Sequence, residues 1–265
     1  MRLLSILICV LSLSVSKAQE FSSAFYDSVL TLEKKIFEET DNERRTRFLL
    51  LKAGLYKQHG DFESSLHNLE RIDLSNLTIL SKDQVLYQKA LVEYLLGKYF
   101  AARSDLNQIS SPSKDTSSYL LRLSALILVE LKNWNLSKEI LLKTARIQKM
   151  ADSTHLKELP IKTNEKIIAR ARTLSSVIPG AGQLYSGKPG RALTSFSLNV
   201  SLLSFGIWNI SQGYYAFGFV SGISPFIKFY KGGIQYSEYL AIEYNQRENE
   251  KLRKLYRDQI FKIFP

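Results

Sequence analysis

The chain has 265 residues, with 36 Lys and Arg against 25 Asp and Glu and a formal net charge of +11. A hydrophobic content of 45% and a charged content of 23% exclude a disordered polyelectrolyte and fit one or two folded domains. Cys9 is the sole cysteine, which excludes an intramolecular disulfide and a thiolate-rich metal centre.

Met1-Arg2 is followed by the apolar run Leu3–Leu13, and Ser16-Lys17-Ala18 then offers small residues at the two positions a signal peptidase reads. Residues 1–18 are therefore expected to be a signal peptide cleaved after Ala18. Cleavage removes Cys9 and leaves no thiol nucleophile. The basic excess lies in Lys138–Arg172 and Lys228–Lys262, mixed with acids. No Arg-interleaved aromatic platform accompanies it, so no nucleic-acid partner is expected. Anionic lipid headgroups account for the charge more simply.

From Phe21 to about Ile147 apolar residues recur at three- and four-residue spacing, as in Leu49, Ala53 and Tyr56, the period of helices. Three small residues, Ala53, Ala90 and Ala125, are each followed seven positions later by a turn residue, Gly60, Gly97 or Lys132. An aromatic follows two positions after each turn: Phe62, Tyr99 or Trp134. A second small residue then comes at Ser65, Ala102 or Ser137. The small residue permits close helix approach, the turn residue ends the first helix, and the aromatic opens the second and packs back. The intervals of 37 and 35 residues are those of a two-helix solenoid. This pattern resembles tetratricopeptide repeats, although the Leu-Gly pair of that family's first helix is absent. The resemblance implies a helical-repeat domain over 19–150 with a partner-binding surface, its first unit capped by a helix within residues 22–40.

Ser110–Asp115 is a turn-rich break, and residues 151–172, with Pro160, are expected to be a linker and a lead-in helix that resumes near Glu165. Composition then shifts: ten of 13 glycines lie between Gly180 and Gly233. Residues Ala192 to Ile227 include 36 positions without a charge. As one helix they would reach about 54 Å, too long for a hydrocarbon core of about 30 Å. Two short spans are expected instead, Ala192–Ile210 and Tyr214–Ile227, joined at Gln212–Gly213, with Trp208 facing lipid or its interface. Residues 173–233 thus form a membrane hairpin. Residues 234–265, with Ile234, Leu240, Tyr244, Leu252, Leu255 and Ile260 on one face, form an amphipathic helix on the headgroups.

Ser176–Gly187 contains Pro179, Gly180, Gly182, Gln183, Tyr185 and Gly187. This string resembles a bacterial family of small membrane hairpins opening with P-G-x-G-Q-x-Y-x-G, often joined to exported helical repeats and with no established activity. The residues suit a turn that leads the chain into the membrane: Pro179 ends a helix, the glycines allow re-entry, and Gln183 and Tyr185 bond freed backbone groups. Lys188 and Arg191 would hold headgroups. Gly182–Lys188 has the spacing of a phosphate-binding loop, but Pro189 stands where that loop needs Ser or Thr.

His59 and His67 flank Asp61 without a third strong metal ligand, and no catalytic triad order is present. No enzymatic activity, cofactor, metal or small-molecule substrate is therefore expected. The expected protein is all-α: a helix-turn-helix repeat solenoid, a C-terminal transmembrane hairpin and an amphipathic tail helix. Its expected role is a scaffold or adaptor at a bacterial inner membrane, binding a protein partner through repeats in the periplasm. The alternative is a membrane-active hairpin, oligomerising or handling lipid, that the repeats regulate. A full hairpin returns the tail to the side of the repeats, yet both hairpin flanks are basic, which the positive-inside tendency disfavours. A single crossing or shallow insertion would relieve that conflict.

Overall fold

A computed structural model describes residues 24–110, 116–148 and 154–264. The signal segment with its cleavage site, the break after Ser110 and the start of the linker lie outside the described residues. Among the described residues the chain is all-helical, with no strand. It divides into two compact units, Met1–Ala151 with Ile260–Pro265, and Asp152–Gln259.

The first unit opens with α1, residues 24–38. Six helices follow: α2 (Asn42–Gln58), α3 (Phe62–Glu70), α4 (Ile79–Leu95), α5 (Tyr99–Asn107), α6 (Thr116–Glu130) and α7 (Trp134–Ile147). Neighbours in sequence pack on one another: α2 on α3, α3 on α4, α4 on α5, α5 on α6, α6 on α7. Asp41, Asp61, Thr78 and Asn133 accept hydrogen bonds from first-turn amides of α2, α3, α4 and α7, satisfying donors that the helix itself leaves open. Ile36, Leu49, Leu66, Leu69 and Val85 form one buried cluster, and Ala90, Ala102, Leu123 and Ile127 another.

One turn geometry joins each of the pairs α2/α3, α4/α5 and α6/α7. Gly60, Gly97 and Lys132 all take a left-handed φ, +78°, +75° and +56°. The turn residue donates to the carbonyl three positions back, and the next residue donates five back, as in Gly60 to Lys57, 3.1 Å, and Asp61 to Tyr56, 3.0 Å. This is the Schellman closure, and it suits glycine because a Cβ is disfavoured there. Lys132 accepts the same strain in the third pair. Across each pair the two small residues meet. Ser65 Oγ donates to Ala53 O at 2.8 Å and Ser137 Oγ to Ala125 O at 3.3 Å. Ala90 and Ala102 are fully buried in one cluster.

The second unit holds α8 (Thr154–Lys157), α9 (Ile168–Val177), α10 (Ala181–Tyr185), α11 (Pro189–Ser211), α12 (Tyr215–Gly218), a π-helical turn (Phe219–Ile223) and α13 (Ser224–Ile263) as far as Gln259. The residues from Tyr215 to Ile263 are one helical run. The expected separate tail helix from Ile234 is therefore corrected: no proline or capping residue interrupts 228–234, and Gly232–Gly233 is carried inside the helix. Pro225 does not end the run either. It lies in the first turn of α13, and the wide turn just ahead of it absorbs the missing N–H and the clash with the preceding carbonyls. The helix expected near Glu165 starts only at Ile168. Asn245 brackets Lys166, accepting from its N–H at 2.6 Å and donating to its carbonyl at 2.9 Å, which holds 165–167 extended.

Candidate membrane-facing site

Gly187 and Gly213 repeat the Schellman closure, with φ of +76° and +85°. Their bonds run Gly187 to Leu184, Lys188 to Gln183, Gly213 to Ile210 and Tyr214 to Asn209, at 2.9 to 3.0 Å. Counting seven back and five forward from each turn gives Gly180/Ala192 and Gly206/Gly218. These are the positions that Ala53/Ser65 hold around Gly60. They meet again, but as backbone on backbone: a Cβ on Gly180 would lie 2.4 Å from Ala192 O, and one on Gly218 would lie 2.8 Å from Gly206 O. The signature glycines Gly180 and Gly187 thus occupy the small and turn positions of the helix-turn-helix spacing seen in the first unit.

The signature then locks three helices together. Gly182 is a close-approach point, where a Cβ would fall 2.1 Å from Ala171 O on α9 and 2.7 Å from Ser237 Cβ on α13. Its N–H donates to Ser175 Oγ at 3.0 Å. Gln183 is 1% exposed and donates through Nε2 to Gly233 O on α13 at 3.3 Å. The Tyr185 hydroxyl accepts from Ile167 N at 3.1 Å, capping α9, and its ring lies beneath Lys166 Nζ and the Arg170 guanidinium, 4.9 and 5.4 Å from the centroid. Gln183 and Tyr185 therefore bond the backbone of other helices rather than the turn they belong to. Lys188 pairs with Glu243 at 3.9 Å, and Arg191 sits 5.3 Å over the Tyr236 ring. Pro179 links α9 to α10 after an extended Ile178.

In the first unit the expected packing residues fall into two groups. Ala53, Ala90, Ala102, Ala125 and Trp134 are buried. Phe62 and Tyr99 are half-buried at helix starts, and Gly60 and Gly97 are exposed at the turns. The His59 ring lies 3.9 Å from that of Phe25. Among the described residues no group of three or more His, Cys, Asp or Glu could hold a metal.

Among the described residues α11 alone is long and apolar enough to cross a membrane. Its 20 residues from Ala192 to Ser211 cover about 30 Å. Its apolar side chains are mostly not covered by protein: Leu193, Phe196, Val200, Ile207 and Trp208 are exposed, as are Phe217, Phe219 and Val220 across the turn. What the two arms bury is glycine. A Cβ on Gly222 would lie 2.3 Å from Gly206 Cα and 3.0 Å from Leu202 O, so backbones touch where side chains normally would.

Beside this contact the arms part into a groove of ≈ 610 Å³. On α11 its wall is one helical face, from Arg191 through Ser195 to Asn199; on α13 it runs from Lys228 through Gly232 to Tyr236. Gln183 closes one side. Asn199 is 2% exposed and donates through Nδ2 to Ser195 O at 2.7 Å. Both buried amides keep a carbonyl oxygen, Gln183 Oε1 and Asn199 Oδ1, without a hydrogen-bond partner. Buried acceptors are seldom left so. No acidic residue lines the groove among the described residues. Asn199, Lys228 and Gly232 do not stand out as site residues in the sequence, where Asn199 is one of two Asn in the uncharged run and Lys228 is the first charge after it. Comparison with known protein families, curated proteins and solved structures finds no match to this chain.

Proposed function

We propose that the protein is a membrane-anchored adaptor without catalytic activity. A tetratricopeptide-like repeat solenoid over 19–150 presents its surface to a protein partner in the periplasm. The hairpin of 173–233 holds it at the bacterial inner membrane, and the amphipathic part of α13 from Ile234 lies along the headgroups. One observation carries the anchoring: the charge-free arms expose a continuous series of large apolar side chains while burying glycine. A water-soluble monomer rarely leaves such a surface open. The test is flotation of the full chain with vesicles and resistance to alkaline extraction. The chain is expected to remain with lipid; dispersal as a monomer in detergent-free buffer refutes the anchor.

The adaptor role rests on the repeating small, turn and aromatic spacing and on the exposed Phe37 and Phe100. Photo-crosslinkers at those two positions in the full chain are expected to trap a discrete envelope protein. Products with lipid alone would favour the second reading, a membrane-active hairpin.

That second reading has its own support in Lys228. Gly222 faces Gly206, and Gly233 approaches Ser195, so the arms run antiparallel and Lys228 lies level with the middle of α11. Below it the charge-free helical residues from Tyr215 to Ile227 reach only about 20 Å, short of the ~30 Å of a full hydrocarbon core. Shallow insertion places both basic flanks on one side without crossing. A reporter fused at Pro265 distinguishes the cases: activity only in the cytoplasm means a single crossing.

A further inference from the structure

The groove between α11 and α13 has a chemistry of its own. At its mouth stands Arg191, held over Tyr236, and along its α13 wall stands Lys228. Two cations with no carboxylate among them favour an anion. The two unpartnered acceptors, Gln183 Oε1 and Asn199 Oδ1, have capacity for hydrogen-bond donors. Their nitrogens are already committed to Gly233 O and Ser195 O, which fixes which end of each amide is free. Neutral acceptors beside two cations suit hydroxyl donors and disfavour an ammonium, which Arg191 and Lys228 would repel. The remaining wall is apolar, with Leu198 and Phe229, and continues into the lipid-facing surface. Gly232 leaves the groove open, since a Cβ there would meet nothing within 4 Å.

We propose that this groove binds the headgroup of a hydroxyl-bearing anionic phospholipid, of the phosphatidylglycerol type. The phosphate lies with Lys228, the headgroup hydroxyls donate to Asn199 and Gln183, Arg191 at the mouth adds to the positive field, and an acyl chain follows Leu198 and Phe229. The proposal rests on the membrane anchoring above and names the lipid that it selects. It gives the buried amides a role that packing alone does not, because an unfilled buried acceptor is costly.

The test uses the full chain in phosphatidylcholine nanodiscs doped with equal minor amounts of phosphatidylglycerol and phosphatidylethanol. These two lipids share the phosphodiester charge, and only the first has headgroup hydroxyls. Lipid retained on the protein is counted by mass spectrometry. Phosphatidylglycerol is expected to be retained about 25-fold over phosphatidylethanol, the value of about two hydrogen bonds. Asn199→Leu removes one of the two and is expected to bring the ratio to about fivefold. Gly232→Leu, which fills the groove from a position with free space, should bring it to about one while the chain stays in the bilayer. Equal retention of the two lipids overturns the proposal and leaves charge alone as the attraction. A preference unchanged by Gly232→Leu overturns it too, as does preferential retention of phosphatidylethanolamine in a parallel disc. Competition by soluble glycerophosphoglycerol as strong as by the lipid would overturn the lipid source. A chain that leaves the discs altogether refutes the anchor instead, so the two failures are distinguishable.

Discussion

The two units use one turn and two kinds of contact. In both, a left-handed residue closes a helix and the next helix starts two positions on, at Phe62, Tyr99, Trp134, Pro189 and Tyr215. In both, small residues seven before and five after that turn come together. In the first unit they are Ala and Ser, and side chains fill the surrounding space. In the second they are Gly180/Ala192 and Gly206/Gly218, and backbone touches backbone. The proposed membrane anchoring accounts for the difference by the surroundings that each helix pair would meet. In water, burying Leu and Val beside an Ala contact drives pairing, at roughly 25 cal/mol per Å² of apolar surface. In lipid that drive would be lost, and close van der Waals contact through glycine would replace it.

The largest effect is expected where backbone meets backbone. Gly222→Val places its Cβ against Gly206, with no flexible side chain able to yield. Separation of the arms is expected to cost about 3 kcal/mol or more, read as denaturant-induced unfolding of the full chain in micelles. A stability equal to that of the unsubstituted chain would break the contrast, for it would mean that the arms do not touch.

A matched pair of leucines sharpens it. Leu141 is 0% exposed, and Leu141→Ala is expected to destabilise the first unit by about 3 kcal/mol through lost transfer energy and the cavity left behind. Leu193 on α11 is 67% exposed. Leu193→Ala is expected to leave folding nearly unchanged and to weaken partition into vesicles. Equal destabilisation by both would mean that protein, not lipid, covers α11.

Charge gives a third contrast, smaller than the cavity. The first unit buries titratable groups between helices. Glu93, 4% exposed on α4, is pushed up to about 7 by burial and by the Asp105 carboxylate of α5, against the pull of Lys89. Lys89 pairs with Asp105 at 3.0 Å. Because the folded state holds this proton above the ordinary range, stability is greatest below about pH 4.5 and falls as pH rises through 7. The loss is on the order of 2 kcal/mol, and Glu93→Gln should flatten it. Glu33 has the opposite sign. Arg71 and Lys52 hold it down to about 2, so its contribution is present above pH 4.5 and fades as pH falls towards 2. Thermal melts between pH 2 and 9 check both slopes; a first unit whose melting point rises through pH 7 would contradict the Glu93 assignment.

What the sequence made legible follows the same division. The all-α class was readable because apolar residues at three- and four-residue spacing need only a local period. The small, turn and aromatic positions of the first unit stood out because each is a distinct residue type at a fixed offset. The groove was not legible. It depends on which face of α13 returns past α11, and that register is set by Gly222 against Gly206 and by Gln183 reaching Gly233, contacts 16 and 50 residues apart in sequence. The unbroken α13 was hidden for a different reason. Pro225 and the Gly232–Gly233 pair are breakers by propensity, and tertiary contact outweighed them.

The smallest expected effect comes from the position five residues past the turn, which the molecule fills in three ways. Ser65→Ala removes the 2.8 Å bond to Ala53 O, and the carbonyl keeps its place in the α2 helix, so about 1 kcal/mol is expected. Ser137→Ala removes a longer bond, 3.3 Å, and should cost less. Ala102→Ser supplies the missing hydroxyl in the second pair and is expected to change stability by less than about 0.5 kcal/mol. Gly218→Ala differs in kind. Its new methyl would stand 2.8 Å from Gly206 O and 2.9 Å from Ile210 Cγ1, so a single carbon should exceed either serine loss. Chemical denaturation of the four variants in the full chain orders them. If Gly218→Ala proved as mild as Ser137→Ala, the second unit would pack like the first, and the lipid-driven account of its glycines would fail.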